Sequence, residues 1–356
     1  MKIIHVIPNL NVGGAETVMK NLIIEQANAG HNVMVVAFYQ SDSSIRKALE
    51  AIGIEILFVD KKQGFDFSII SKLKRIFNNE RPDVIHTHLY VLPYVFLSSG
   101  KRRVVHTIHT VAEKERSGIA VYLTRIIYHS RRVTPVAISD EIRKSISQFH
   151  DIQENKIPVV LNGSPISNYY KKQSYAIPDK VRIVHVGSLI PLKNHELMIE
   201  VANMLKKNNV NFKMEFAGAG YLKEKLQEKV CNLGLEDCVE FVGLKDDISL
   251  FLKDADLFIF PSQYEGVPMS LIEAMASGLP IIASNVGGIP DMITDMANGI
   301  LIEPNEDNLY DALVTLIKNE DLRAKLGKSA IEMSNKFSSK NMEIEYMRLY
   351  NMMERQ

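Results

Sequence analysis

Two successive runs of alternating β and α segments, separated by a stretch with neither period, predict an α/β chain of two domains. Three observations carry that reading. Short apolar runs bounded by turn residues recur as strands of a buried parallel sheet do: Ile3–Ile7, Asn32–Phe38, Ile54–Val59, Asp83–His86 and Val104–Ile108, then Arg182–Val186, Lys213–Ala217, Val239–Val242, Leu257–Phe260 and Pro280–Ala283. Residues 165–180 hold two prolines and no regular pattern, as an interdomain linker does. At 356 residues the chain is also long for one core. The expected division is 1–164, a linker at 165–180, a second domain at 181–338 and a terminal helix at 339–356.

Composition removes several classes. Lys+Arg and Asp+Glu both number 42, so the chain carries no net charge and is not expected to bind nucleic acid. The halves differ, with 21 basic against 15 acidic residues over 1–164. Cys231 and Cys238 lie eight positions apart inclusive, without a second Cys or His pair at metal spacing, and read as reduced thiols. The apolar run before Pro8 is too short for a signal peptide. No run of about eighteen apolar residues spans a membrane. A cytoplasmic protein is expected.

In the first half, Glu16–Ala29 is the clearest helix, with Val18, Leu22, Ile23 and Ala27 on one side and Gly30 as its stop. Ligands of such sheets bind at the carboxyl ends of strands, which singles out Asn11–Glu16. There Gly13 and Gly14 allow close backbone approach and present amides to an anion. Turn chemistry alone also accounts for a Gly-Gly pair. The segment lacks the Gly-x-Gly-x-x-Gly dinucleotide fingerprint, which argues against a dehydrogenase. His86, His88, His106 and His109 cluster at strand ends. Without acidic or Cys neighbours they favour packing and hydrogen bonding over a metal. Residues 101–132 carry eight Lys/Arg against Glu113 and Glu115, interleaved with Ile119, Tyr122, Leu123 and Ile126. Such a helix either packs on its own sheet with a solvated basic face or lies on an anionic membrane. Val133–Asp140 reads as a strand ending at a helix cap, Ser139, and Pro158–Gly163 as a further strand and turn.

In the second half, helices are expected at 195–207, 220–232, 306–318 and 321–335, and a last amphipathic helix at Asn341–Met353 with Ile344, Met347, Leu349, Tyr350 and Met353 as its apolar set. Gly187 opens room after the first strand, and Lys193 can reach a diphosphate as a mobile cation. Between Leu257–Phe260 and Pro280–Ala283, Pro268 suits a helix start and Gly278 its stop. Gly266, Val267, Pro268 and Met269 therefore surround a helix N-terminus, where amides are unpaired and the dipole is positive. Glu265 lies just before that start and Glu273 inside it. Asp254-Ala-Asp256 sits at the amino end of its strand, away from the ligand edge, and reads as turn bonding.

The pattern Pro-Ser-x-x-Glu-Gly-x-Pro-x-x-x-x-Glu-Ala-x-Ala-x-Gly-x-Pro from Pro261 to Pro280 resembles the signature of the family 4 (group 1) retaining glycosyltransferases, which have the GT-B fold. The resemblance implies two Rossmann-like βαβ domains facing across a cleft, with the C-terminal helix returning to the N-domain. It implies an acceptor-binding first domain and a nucleotide-sugar-binding second one. The implied reaction is metal-independent transfer of a hexose or N-acetylhexosamine, with retention, from a nucleotide diphosphate donor, most often UDP-linked. The acceptor would be a glycan or lipid-linked saccharide in cell-surface polysaccharide synthesis, and no cofactor is expected. Residue by residue, Lys193 would meet the diphosphate, Glu265 the sugar hydroxyls, Glu273 the ribose and His109 the donor sugar. Gly13, Gly14, Gly187, Gly218, Gly243, Leu244 and Gly266 to Met269 would line the donor site. Ser188 stands where the family commonly has Arg, which removes one diphosphate cation. Relatives act at the inner face of a membrane, which would give 101–132 a weak peripheral contact. Two alternatives stay open: a sugar-nucleotide 2-epimerase-like isomerase, and a nucleotide-binding partner subunit with weak activity.

Overall fold

The computed structural model of the chain describes residues 1–110, 119–177 and 179–354. The chain divides into two compact units, Met1–Gly163 with Ser339–Gln356, and Ser164–Ser338.

The first unit alternates β1 (Lys2–Ile7), α1 (Gly14–Asn28), β2 (Asn32–Ala37), α2 (Ser44–Ala51), β3 (Glu55–Phe58), α3 (Phe67–Glu80), β4 (Val84–His88), α4 (Leu92–Ser98), β5 (Val104–Ile108), α5 (Ile119–Tyr128), β6 (Val133–Ala137) and α6 (Asp140–His150). The second repeats the alternation with β7 (Val181–Val186), α7 (His195–Lys207), β8 (Phe212–Ala217), α8 (Lys223–Asn232), β9 (Val239–Gly243), α9 (Ile248–Lys253), β10 (Leu257–Phe260), α10 (Met269–Ala276), β11 (Ile281–Ser284), β12 (Ile300–Ile302), α11 (Glu306–Lys318) and α12 (Glu320–Ser334). The terminal helix α13 (Ser339–Glu354) belongs to the first unit and packs on α1.

Each unit holds a six-stranded sheet, ordered β3-β2-β1-β4-β5-β6 in the first and β12-β11-β10-β7-β8-β9 in the second. All the named strand pairings are parallel. Both orders are the doubly wound Rossmann arrangement, in which the order reverses beside the first strand. The reversal falls between β1 and β4 in one sheet and between β7 and β10 in the other. Strands are buried on both faces: Ile3, Ile4, Val6 and Ile7 are fully covered, as are Leu257 to Phe260. Local chemistry sets the helix starts. Ser139 accepts the Ile142 amide at 3.2 Å, and Asn305 and Asn319 cap α11 and α12 in the same way.

Four expectations need correction. Pro158–Gly163 forms no strand; Val159 makes one isolated parallel bridge to Ala137, because Pro158 has no amide with which to extend a ladder. The helix expected from residue 220 begins at Lys223. Residues 165–180 are no free linker: Lys172 Nζ donates to Ala255 O at 2.6 Å, and the Tyr175 hydroxyl donates to Gly278 O at 3.0 Å, fastening the segment to the second unit. In α13 the buried stripe is Met342, Tyr346, Tyr350 and Met353, while Ile344 is exposed. Two tyrosines outcompete the aliphatics because their hydroxyls find buried partners.

Asp256 has a structural role, as its turn position suggested. Its carboxylate accepts the Arg182 amide at 2.9 Å and Lys172 Nζ at 3.2 Å. Cys231 and Cys238 are both free thiols. Within 101–132, Glu113 and Glu115 lie outside the described residues. Helix α5 packs through Thr124, Ile127 and Tyr128 and leaves Tyr122, Leu123 and Ile126 exposed. Among the described residues, no helix is long and apolar enough to cross a membrane.

Candidate active site

In a doubly wound sheet the loops after the two strands at the reversal point leave in opposite directions, opening a crevice at their carboxyl ends. In the second unit those loops carry the residues singled out above. The loop after β7 holds Gly187 and Ser188 and ends in a 3-10 turn, Pro191–Lys193. The loop after β10 holds Glu265, Gly266 and Val267 and leads into α10. The Gln263 amide donates to Leu192 O at 2.9 Å and ties the loops together.

Lys193 Nζ and Glu265 Oε1 form an ion pair across this crevice, with side chains only 16% and 10% exposed. The ammonium also stands 5.0 Å from the centre of the Phe260 ring. The two residues assigned separately to diphosphate and sugar are thus each other's partners. Behind them, burial pushes His195 down to about 4, with the Lys193 charge adding to the effect, and holds His185 well below its ordinary value. The crevice therefore carries one cation and one carboxylate backed by neutral imidazoles.

Glycines let the loops close. At Gly218, φ is +150° and a side chain would overlap the Gly187 carbonyl. The Gly218 amide donates to Gly243 O at 2.9 Å, so Gly187, Gly218 and Gly243 meet at the ends of β7, β8 and β9. At Gly287, φ is +55° and a side chain would overlap the Glu265 carbonyl. Gly287 is a site residue that motif reading passed over. Leu244, next to Gly243, is exposed, as is Ser188.

Helix α10 begins one residue later than expected: Pro268 is the cap and Met269 the first helical residue, with Gly278 at φ +71° past its end. Gly266, Val267 and Pro268 therefore lead into the helix N-terminus. Glu273, in the second turn, is hydrogen-bonded to the Tyr169 hydroxyl, whose pKa is driven far up by burial and by that carboxylate. Tyr169 had no signal in the sequence, because it lies in the stretch read as linker.

The other residues singled out in the sequence lie in the first unit. Gly13 caps α1 in an extended conformation and Gly14 begins the helix. The Glu16 carboxylate folds back beside Gly13 and its own amide, and burial raises its pKa. His109 follows β5, half-buried. Its Nε2 lies 3.2 Å from His88 Nδ1, His88 Nε2 lies 3.1 Å from His5 Nδ1, and His5 Nε2 lies 2.8 Å from Gln26 Oε1. His5 and His86 face each other across β1 and β4. His86 Nδ1 contacts the Tyr350 hydroxyl at 2.7 Å, and its Nε2 contacts Thr107 Oγ1 at 2.7 Å. Among the described residues, His5, His86 and His88 bring ligand atoms within 4.8 Å of one another. Each of their ring nitrogens already has a hydrogen-bond partner, which accounts for the cluster without an ion.

The geometry is that of a doubly wound α/β unit with a charged crevice at the reversal point, where such sheets bind ligands. Comparison with known proteins identifies the family. Residues 12–167 match the model for glycosyltransferase family 4, and residues 168–333 match that for glycosyl transferases group 1. The chain is 26% identical over 373 residues to the N-acetyl-alpha-D-glucosaminyl L-malate synthase of Bacillus anthracis, covering 96% of this chain and 94% of that one. It is 27% identical over 284 residues to the UDP-Gal:alpha-D-GlcNAc-diphosphoundecaprenol alpha-1,3-galactosyltransferase of Escherichia coli, covering 72% of each. The crystal structure of Anabaena Alr3699/HepE in complex with UDP-glucose superposes with a TM-score of 0.85 at 20% identity, covering 99% of both chains. The chain belongs to the group 1, family 4 glycosyltransferases and has their GT-B fold.

Proposed function

We propose that this glycosyltransferase moves a hexose or N-acetylhexosamine, with retention and without a metal, from a UDP-sugar to a glycan or lipid-linked saccharide in polysaccharide synthesis. The observation that carries the reading is the Lys193–Glu265 pair at the reversal point of the second sheet, beside the start of α10. The donor would divide the pair, drawing the ammonium to its diphosphate and leaving the carboxylate to accept from sugar hydroxyls. Departure of the nucleotide diphosphate builds negative charge. Lys193 and the helix start offset that charge, the part a metal plays elsewhere. Glu273 exchanges Tyr169 for ribose hydroxyls, and His109 acts at the donor sugar. With Ser188 in place of the second cation, Lys193 bears the larger share. UDP in the donor is supported by the named substrates of the relatives above, and the lipid-linked acceptor by the galactosyltransferase alone. Exposed Tyr122, Leu123 and Ile126 on α5 support a peripheral contact at the cytoplasmic membrane face.

A thermal-shift panel of nucleotide diphosphate sugars, with and without EDTA, selects the donor, and NMR of the transfer product reads its anomeric configuration. One UDP-sugar stabilising the protein in EDTA and yielding a retained product is expected. An inverted anomer, an epimerised donor, or a shift abolished by EDTA would overturn the reading. His109→Ala is expected to lower turnover while leaving nucleotide affinity near wild type.

A further inference from the structure

The edge strand of the first sheet, β6, differs along its two halves. At its carboxyl half the Ala137 amide donates to Pro158 O at 3.0 Å, and Ala137 O accepts the Val160 amide at 2.9 Å. Pro135 lies two residues earlier, on the same outward side by the alternation of a strand, and has no amide to offer a further partner. Beside that half a cavity of about 790 Å³ indents the unit. It lies toward the amino ends of β5 and β6, which pair in parallel. That is the end of the sheet opposite to the one where doubly wound sheets bind substrates.

The cavity walls are charged mainly in one sense. Arg103 stands before β5, Ser130 and Arg131 follow α5, and Asp151 and Lys156 lie beyond α6. The Asp151 carboxylate is paired with Arg125 at 2.6 Å. Among the described residues, the side chains of Arg103, Arg131 and Lys156 have no ion-pair or hydrogen-bond partner. Cations are favoured near helix C-termini without any ligand, and α5 and α6 both end here. A cation in that role donates to a terminal carbonyl, as Arg132 does to Gly100 O just past α4. At the end of α5, Arg125 O is instead taken by the His129 amide at 3.1 Å and by His129 Nδ1 at 2.9 Å. The Ser130 hydroxyl accepts the Arg132 amide at 3.3 Å, which leaves its own proton to donate.

We propose that this cavity is a second ligand site, in which Arg103, Arg131, Lys156 and the Ser130 hydroxyl hold a phosphomonoester. Three positive charges without partners exceed what one carboxylate offsets, whereas a phosphomonoester carries about 1.5–2 negative charges near pH 7 and three acceptor oxygens. Two of the three cations are arginines, whose forked donors match a phosphate. The volume leaves room for the organic group that the phosphate carries. That group is either soluble or part of a lipid, since Tyr122, Leu123 and Ile126 form an exposed apolar row on α5, whose last residue is in the cavity wall. The site lies at the opposite sheet end from the substrate edge and stands or falls apart from the transfer reaction.

Calorimetric titration of the full-length protein with glycerol 3-phosphate at low ionic strength tests the soluble source. Co-sedimentation with phosphatidylcholine vesicles, with and without phosphatidic acid, tests the lipid source. Binding is expected in at least one arm, and Arg103→Gln/Arg131→Gln should weaken it about 10-fold or more, the worth of a hydrogen bond to a charged group. Lys74→Gln/Arg75→Gln removes the same charge from the exposed face of α3 and should bind as wild type does. Lys193→Ala, altered in the second unit, should also bind as wild type does. Lys156→Gln leaves the strands untouched, should weaken binding by itself, and carries the test if the double arginine variant fails to fold. Sedimentation that needs phosphatidic acid and the arginines names a lipid, and glycerol 3-phosphate binding without it names a soluble ligand. No binding in either arm overturns the proposal. So does equal weakening in the two double variants, unaltered binding by a folded Arg103→Gln/Arg131→Gln protein, or loss of binding in Lys193→Ala.

Discussion

Lys193→Ala tests the crevice most directly, because its effects on stability and on rate come from the same geometry. Truncation leaves the Glu265 carboxylate 10% exposed without its cation. Breaking a buried pair from one side costs about 3–5 kcal/mol. The residual exposure of both partners lets water screen part of that, so about 2–3 kcal/mol is expected here. For a unit the size of Ser164–Ser338 this lowers its Tm by about 4–12 °C. Glu265→Gln in the same background removes the stranded charge and should recover about 1 kcal/mol, so the double variant is more stable than Lys193→Ala alone. On the proposed function, turnover should fall by about 10²-fold in Lys193→Ala, since the lost cation would meet charge that develops only as the nucleotide leaves. Calorimetry of the single and double variants, with initial rates on the selected donor, measures both effects. A folded Lys193→Ala protein with wild-type Tm and turnover would show that the pair is a surface accident and remove Lys193 from the mechanism.

Two further outcomes follow from the same site and core. Gly287→Ala forces a side chain against the Glu265 carbonyl at a positive φ, so the loop carrying Glu265 must move. Turnover should drop at least about 10-fold with a smaller loss of Tm, and full activity in steady-state assays would contradict the packing argument. The second concerns pH. His5 falls from an ordinary value near 6.5 to about 4 in the folded protein because burial disfavours its charge. Below about 6.5 the unfolded chain therefore takes up a proton that the folded one refuses. The stabilisation is complete above that pH and is lost as pH falls toward 4, roughly 3 kcal/mol from His5. His195 acts in the same direction in the second unit. Urea midpoints should decline through this window, and a midpoint constant from pH 7 to pH 4.5 would contradict it.

The sheets and the helix after Pro268 were legible because each rests on local pattern: apolar runs for buried strands, Pro and Gly for helix ends; the return of the last helix to the first unit came from the family resemblance alone. In the buried stripe of α13, Tyr350 and Met353 were legible but Tyr346 was not. Apolar counting favours Ile344 over Tyr346, and only the His86 and Thr107 partners on distant strands make a buried tyrosine the better choice. His5 and Gln26 were silent for a related reason. A parallel strand covered on both faces has no polar side against which His5 would stand out, and Gln26 on a helix reads as solvent-facing until its partners are known. Polar residues buried in pairs are specified by contacts far apart in the chain, here 83 residues for His5 with His88 and 324 for Gln26 with Tyr350.

The two sheets use one topology and fill its reversal point with opposite chemistry. In the second, Lys193 and Glu265 form a largely covered ion pair, which on the proposed function would open to a ligand whose charge grows as a bond breaks. In the first, the β1–β4 position is filled by buried imidazoles whose ring nitrogens all have hydrogen-bond partners. Exchanging them would fail on both counts: an unpaired charge at the depth of His5 would be expelled by desolvation, and a neutral network in place of Lys193 would, on the proposed function, leave a departing diphosphate without a counter-ion. The repeated fold fixes where groups converge, and burial at each convergence determines whether charge or polarity can be kept there.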